Sequence, residues 1–371
     1  MAGFFFKKDS FENTLAIDMG TASISGAISR RNHNGGKPEV LKVFRYPIDV
    51  LKKDSTRTYT SRLAKMFDEA HKVSHTINRI AIGFSSPLFL EKTVQKRFVR
   101  AHPGSVITAS EVAVCFREAE ELLRDASTAV VVERMVRRIA VNGYPVARAE
   151  GYKGNFLDIE LECMLINSFF AEFIADTKEK FFPRSLLAYY SDSAAIAFGA
   201  GHMFSKPYPL VAIDAGGEVT AVFTATDRGR TYAQPVPFGV RTLNRRVSAF
   251  LKLDSADAEA LVRKLSAGTL DPAIQRRLEK VAASAMEDWW NLLRKSLKEL
   301  DIATSPTVVA MTGGGADVAL FPRTLASGWR QVYEYEITPS ILRAEELKEH
   351  FASLGVLAGG GDFMLASLLL L

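Results

Sequence analysis

The sequence predicts an α/β fold of two lobes, with a small α+β domain inserted into the first. Three observations predict it. The unit strand, Asp-x-Gly, strand occurs around Asp18 and again around Asp214, roughly 200 residues apart, and an internal repeat of that kind marks a duplicated architecture. A β-branched run from Thr307 to Met311 enters a triple glycine, Gly313 to Gly315. Between the two repeats, strand-like segments surround a single helix from about Leu88 to Ser168.

Composition bounds the class. The chain has 371 residues, 47% hydrophobic and 24% charged, which suits a globular protein with room for two or more domains. A net charge of +5 is mild, and it suits an anionic surface or an acidic partner. No nucleic-acid-binding motif accompanies it. Cys115 and Cys163 are too few for a disulfide framework and lack zinc spacing, so both are expected as buried thiols. The six histidines, His33, His71, His75, His102, His202 and His350, show no paired ligand pattern. The opening MAGFFFKKDSFEN places its basic residues after a short apolar run, the reverse of a secretory leader. No apolar stretch reaches the ~20 residues of a membrane span. The expectation is a cytoplasmic protein.

Taken in order, Thr14 to Ile17 reads as a strand leading into Asp18 and Gly20, followed by a second strand from Ala22 to Ser29. Val40 to Tyr46 and Arg79 to Phe84 read as two more. Leu88 to Arg100 is basic and extended. Thr108 to Glu111 forms a capping-box pattern opening a helix through Arg124, with Val112, Cys115, Phe116, Ala119 and Leu122 or Leu123 at helical spacing. Strands are expected at Met135 to Val141, Pro145 to Ala149 and Asn155 to Leu165, with Asn142 and Gly143 turning between the first two. A helix at Phe169 to Phe181 and a segment at Ser185 to Tyr190 return to the parent lobe. After Lys206 and Pro207, Leu210 to Ile213 enters Asp214 to Gly217, and a strand runs from Glu218 to Thr226. Asp257 to Ile302 is charged and helical, anchored by Trp289 and Trp290, and GDFMLASLLLL reads as a buried last helix. The divisions expected are 1–87 and 169–205 for the first lobe, 88–168 for the insertion and 206–371 for the second lobe, with a helical subdomain at about 254–302.

An Asp at the tip of a buried strand, followed by glycine, suits a phosphate. Glycine admits close backbone approach and presents N–H groups, and the carboxylate can hold hydrated magnesium. On that reading Asp18 and Asp214 serve the metal, and Gly20, Thr21, Ala22, Gly216, Gly217 and Thr220 serve the phosphates. An ordinary hairpin turn is the alternative at either position alone. Gly313, Gly314 and Gly315 suit a flat ring lying on bare backbone, with a flexible turn as the alternative. A P-loop is excluded, because no Gly-Lys-Ser/Thr follows any glycine run.

These segments resemble a known superfamily. DMGTASI, from Asp18, looks like the first phosphate motif of the actin, sugar-kinase and heat-shock-chaperone ATPases; DAGGEVT, from Asp214, looks like the second, and VVAMTGGGADV, from Val308, like their adenosine motif. The resemblance implies the two-lobed actin-like (ribonuclease H-like, duplicated) ATPase fold, with ATP and Mg as ligands. Within it, the segment from Leu88, including VNGYPVARAEGYKG, resembles the insertion of the FtsA/PilM group, an SHS2-type domain. SDSAAIAFGAG, from Ser191, resembles the helix that hinges the lobes, which puts Asp192 where a bacterial actin carries a water-positioning acid, with a helix cap as the alternative. Glu259 resembles the family's ribose contact. Val262 stands where a lysine is usual, followed by Arg263 and Lys264, and Pro237, Phe238 and Gly239 stand where a glycine pair is usual.

The function implied is that of an FtsA-like cytoskeletal adaptor in cell division, with nucleotide-controlled self-association into a homo-polymer or recruitment of a tubulin-like partner, and hydrolysis slow or absent. The alternative is a PilM-like scaffold that binds a peptide of a pilus membrane protein. A small-molecule kinase of the same superfamily is the third reading. The group's C-terminal amphipathic tether has no counterpart before Leu371. Phe4, Phe5, Phe6, Lys7 and Lys8 are expected as a leader packing near the first strand or a disordered tail, the alternative being a weak peripheral contact with the inner face of the membrane. Arg228, Arg230, Arg241, Arg245 and Arg246 are expected as a solvated face or a docking surface.

Overall fold

The repeated motif is a repeat of topology. In the computed structural model, which describes residues 11–33, 35–49, 55–123, 128–227, 229–300 and 306–371, two five-stranded sheets have the same strand order and the same directions. The first contains β1 (Phe11–Met19), β2 (Ser23–Asn32) and β3 (Glu39–Pro47) as an antiparallel meander. Helix α1 (Ser55–Val73) then crosses to β4 (Arg79–Phe84), parallel to β1. The chain leaves this sheet for β5 (Leu90–Val99), α2 (Ala109–Glu121), β6 (Ala129–Val141), β7 (Tyr144–Val146) and β8 (Phe156–Asn167). It returns through α3 (Ser168–Phe181) to β9 (Leu186–Ser191), parallel to β4, and continues as α4 (Asp192–Met203).

The second sheet repeats the plan. Strands β10 (Leu210–Ala215), β11 (Thr220–Thr226) and β12 (Gly229–Tyr232) form the meander. Helices α5 (Val240–Leu251), α6 (Ser255–Ala267) and α7 (Pro272–Glu299) precede β13 (Val308–Thr312), parallel to β10. Then come α8 (Leu320–Tyr333), the short parallel β14 (Ser340–Ile341) and α9 (Phe363–Leu370). The orders are β3-β2-β1-β4-β9 and β12-β11-β10-β13-β14.

Side-chain size decides how these layers stack. On the outer face of the first sheet, Leu15, Ile17, Ile80 and Ile82 pack against α1 and α3 in one apolar cluster. The inner face carries Ala16, Ala27 and Ala81, and the second sheet contributes Ala212, Ala225 and Ala310 to the same inner cluster, together with α4 and α9. Small residues let those two helices approach closely. A Cβ on Gly199 of α4 would lie 2.1 Å from Ser367 Oγ of α9, and one on Gly83 of β4 would lie 2.1 Å from Met364 Cε. The N-terminal ends of α4 and α9 therefore come to the same place, between the two sheets.

The third sheet, β5-β8-β6-β7, is antiparallel throughout and has its own core with α2. Thr108 caps α2 by accepting from the Glu111 amide, and Leu123 rather than Leu122 is buried. Asn142 and Gly143 turn between β6 and β7 with positive φ angles of 52° and 84°, the geometry of a tight hairpin. Strand β8 joins this unit to the first lobe, because its end contributes Met164 and Ile166 to the core under α1 and α3. Helix α7 is held by fully buried Trp289, whose ring stacks edge-on against Phe321 of α8. Cys115 and Cys163 are buried free thiols, and burial pushes both up.

Candidate functional site

Each meander ends in a tight turn that carries its aspartate. Asp18 closes β1, where Gly20 donates its amide to Ser23 O at 3.0 Å, and Asp214 closes β10, where Gly216 donates to Val219 O at 2.9 Å. The two tips touch. The Glu218 amide donates to Thr21 Oγ1 at 3.1 Å, and a Cβ on Gly217 would fall 2.3 Å from Ala22 Cβ, so that approach requires glycine. Arg241, in the first turn of α5, reaches across to the first lobe. Its guanidinium donates to Ile48 O and, at 2.8 Å, to Ala22 O. Gly239, the residue retained where a glycine pair was expected, caps α5 directly beneath this hairpin: the amides of Val240 and Arg241 donate to Gly216 O and Gly217 O at 3.0 and 2.8 Å.

Below the tips lies a cavity of about 640 Å³, within the size range of small-molecule sites. It brings together Asp18, Gly20, Thr21, Ala22, Asp192, Asp214, Gly216, Gly217, Glu259, Gly313 and Gly314. Gly313 has φ 78°, and a Cβ there would lie 2.2 Å from Asp214 Oδ1, while Gly314 is exposed to the cavity. Two expected members are elsewhere. Gly315 is buried against β10, donating to Ala215 O at 2.8 Å, and a Cβ there would meet Ala215 Cβ at 2.5 Å. Thr220 points into the core, where its hydroxyl donates to Phe238 O at 2.7 Å and receives Trp289 Nε1 at 3.0 Å. Other residues on the wall escaped the sequence reading. Gly360 and Gly361 double the bare ledge, with Gly360 O accepting from the Gly313 amide at 3.2 Å, and Asn244, Arg45 and Asp362 also line it. The Gly359–Gly361 run in the sequence was the available signal.

The cavity is acidic at its centre. Burial raises Asp18 well above the usual carboxylate range, with Asp214, Asp362 and Asp192 adding to it. Burial, then Asp192, raises Asp214 to about 7. Burial raises Asp362 as well, opposed by the Ala358 amide and by Arg45, which pairs with it at 2.5 Å. Ser85 Oγ lies at 3.5 Å from Asp18 Oδ1, the limit of a hydrogen bond. Among the described residues no three His, Cys, Asp or Glu side chains are grouped to hold a metal, so a cation here would draw further oxygens from water or ligand.

Asp192 is fully buried at the start of α4, and the protein supplies most of its donors. Oδ1 accepts from the Tyr232 hydroxyl and, at 2.6 Å, from the Ser193 amide, while Oδ2 accepts from the Ser86 amide at 3.1 Å. Burial raises it to about 6 against the lowering effect of those donors. Oδ2 keeps one lone pair for another donor.

The remaining expectations separate. Val262, buried against the second-lobe core, and Arg263 both line the cavity, and Arg263 pairs with Glu259 one turn before it. The arginines do not form one solvated face. Arg230 is ion-paired with Glu133 at 2.6 Å, Arg245 with Glu218 at 2.7 Å and Arg246 with Asp288 at 2.6 Å, while Arg241 closes the cleft. Arg228 and the segment Phe4 to Lys8 lie outside the described residues. His71, near the end of α1, and His75, just beyond it, meet with Nε2 and Nδ1 at 3.2 Å.

Asp18 and Asp214 thus occupy equivalent ends of equivalent strands in two sheets of one order, facing each other across a cleft. The fold is the actin-like ATPase fold. No protein-family model and no curated protein matches the sequence. Solved structures do match. A chain of the PilM–PilN type IV pilus biogenesis complex superposes with a TM-score of 0.66 at 14% identity, over 96% of this chain and 97% of that one. The ethanolamine utilization protein EutJ from Carboxydothermus hydrogenoformans follows at 0.49 and 12%, over 96% and 89% of the two chains. MreB5 of Spiroplasma citri bound to ADP stands at 0.47 and 9%, over 96% and 94%. At such identities the likeness is one of fold.

Proposed function

We propose that this chain is an ATP-binding scaffold of the FtsA/PilM type, in which nucleotide holds the two lobes closed and a protein partner reads that state. One observation carries the reading: two aspartate-bearing hairpin tips meet over a cavity whose walls are bare glycine backbone on both lobes. A ligand that touches both tips favours whichever arrangement brings them together, by the difference in its affinity for closed and open states. The Gly20 and Gly216 amides close their own turns, which leaves the Gly217 amide to suit a phosphate oxygen, and the Gly313–Gly314 and Gly360–Gly361 ledge suits a flat base. Asp18 and Asp214, with few protein donors of their own, would hold magnesium through its waters, and the ion would neutralise the phosphates. Asp192 gives most of its acceptor capacity to protein donors, which fits slow hydrolysis or none.

Between the two scaffold roles, assembly of a type IV pilus is the reading favoured here, because the likeness to the PilM–PilN chain extends over nearly the whole of both chains. The partner would be a peptide of a pilus membrane protein. The 88–168 unit, with its separate core, is the proposed interaction domain. No helix among the described residues is long and apolar enough to cross a membrane, and we place the scaffold in the cytoplasm. A division role would instead show as capture of a tubulin-like protein.

Thermal unfolding with and without magnesium–ATP tests the site. Ligand at 100 times its dissociation constant stabilises by about 2.7 kcal/mol. Asp18→Ala and Asp214→Ala should each remove that gain, and an undiminished gain in both variants would defeat the assignment.

A further inference from the structure

The inserted unit touches the second lobe as well as the first. Arg137 of β6 donates to Arg230 O and to Thr231 Oγ1 of β12, both at 2.8 Å. Gly229, which opens β12 at φ 148°, lets the two strands come this near. A Cβ there would lie 3.2 Å from Arg137 Nε and 3.3 Å from Met135 Cε. In return, Arg230 reaches Glu133 of β6 at 2.6 Å. The other Glu133 oxygen accepts at 2.9 Å from the amide of Ser191, the N-cap of α4. One carboxylate of the insert thus holds the second lobe with one oxygen. With the other it holds the turn that carries Asp192 into the cleft.

This junction depends on where the second lobe sits. Strands β10, β11 and β12 are hydrogen-bonded neighbours, so the tip carrying Asp214 and the strand facing the insert move as one piece. β12 is the edge of that sheet, and any rotation of the sheet against the first carries it across β6. Glu162 of β8 is buried, with Arg137 Nε at 3.2 Å and Arg230 Nε at 4.0 Å. If β12 withdraws from β6, Arg230 leaves Glu133 and Glu162 together, and parting a buried carboxylate from its cation is costly. The contact is made largely by charged and polar side chains, which suits an interface that shifts within one chain.

We propose that the β6–β12 junction makes the insert a sensor of the cleft: closure of the lobes on nucleotide seats Arg230 beside Glu133 and Glu162 and so fixes the insert against the second lobe. By reciprocity, a partner that holds the insert in that position tightens nucleotide binding by the same factor. This rests on the nucleotide reading above and deepens it, by naming the contact through which the closed state is read.

The test uses the full chain. It follows hydrogen exchange of β5, β6 and β8 with and without magnesium–ATP, beside calorimetric titration of magnesium–ATP. In wild type, bound ATP should slow exchange in these strands. Arg137→Met and Glu133→Gln lie on the insert and outside the cavity. Each should lose that slowing and bind ATP about fivefold or more weakly. Thr231→Val, which leaves the insert untouched and removes one acceptor from the other side, should act in the same direction. Arg97→Met is the control. Arg97 pairs with Asp158 inside the insert, at 2.6 and 3.0 Å, so this variant should keep both the slowing and the affinity. ATP binding that leaves exchange of the insert unchanged in wild type overturns the inference. So does wild-type affinity in all three junction variants, or an equal loss in Arg97→Met, which would trace the effect to a weakened insert. If wild type binds no ATP, the nucleotide reading itself fails, and this inference with it.

Discussion

The Tyr232 hydroxyl donates to Asp192 Oδ1, and so the edge strand of the second sheet is tied to the helix that leaves the first. Asp192 is fully buried and Tyr232 half-buried, and the same hydroxyl accepts from the Ser193 amide at 2.9 Å. Arg230, two residues earlier on β12, pairs with Glu133 of the small sheet, whose other oxygen accepts from the Ser191 amide at 2.9 Å. Three parts of the molecule therefore meet at one point on the cleft wall: β12, the first turn of α4 and strand β6.

Tyr232→Phe removes one hydroxyl and little volume. Its donor matters most to the ionised carboxylate, and Asp192 titrates near 6. The variant should lose about 1.5–3 kcal/mol of stability at pH 8, where Asp192 is charged, and clearly less at pH 5. Denaturant unfolding at the two pH values measures it. An equal loss at both would mean that the hydroxyl serves packing rather than the charge.

Much of this architecture can be read in the sequence, and what cannot has physical reasons. The strands entering Asp18, Asp214 and Gly313 are apolar on both faces because they lie in the middle of their sheets, and a buried run followed by glycine is easy to see. Helix α1 was missed although Tyr59, Leu63, Met66, Phe67 and Ala70 recur at helical spacing, because its polar first turns, STRTYTSR, resemble a loop. Strand β12 is four residues long and carries no pattern of its own. At the site, glycine and aspartate announce themselves because backbone approach restricts the choice of residue. Thr220 did not follow its neighbours because the alternation of a strand turns it toward Trp289. Tyr232 is an ordinary residue in an ordinary position, and only the carboxylate opposite it gives it a role.

A second prediction concerns pH. Glu91 of β5 faces Glu162 of β8, with Arg137 and Glu133 on β6, Arg230 and Tyr232 on β12 and Asp192 on α4 around them. Burial first, then the Glu162 carboxylate, raises Glu91 to about 10. A free glutamate titrates near 4.3, so the stability that protonated Glu91 contributes is full below that value and declines as pH rises toward 10. Glu91→Gln fixes the neutral form. Its unfolding free energy relative to wild type should climb between pH 5.5 and 8.5, with a slope of at most about 1.4 kcal/mol per pH unit. A constant difference, or one that falls, would place the ionised carboxylate in the folded state across this range.

The third prediction tests whether the small sheet unfolds as a unit of its own. Arg100 follows β5, its side chain only 2% exposed, and holds three pieces of chain together. Its guanidinium donates to both Glu111 oxygens, at 2.6 and 3.0 Å, to Gly154 O at 2.9 Å and to Ser105 O at 3.1 Å. Lysine cannot reproduce that fork, so Arg100→Lys and Arg100→Leu should both leave the carbonyls short of donors. Breaking a fully buried pair costs about 3–5 kcal/mol, and with the Glu111 side chain 31% exposed the loss here should be smaller. The apolar cluster of this sheet with α2 is distinct from the cluster under β1 and β4, and the cleft is built on the latter's sheet. Hydrogen exchange should therefore quicken over 90–123 and 140–160 while the strands β1, β4, β10 and β13 keep their protection and magnesium–ATP still stabilises the protein. Loss of protection spread evenly over the chain would show instead that the small sheet and the lobes fold as one body, and that a partner bound at 88–168 acts on the cleft through stability rather than through the contacts of Glu133 and Tyr232.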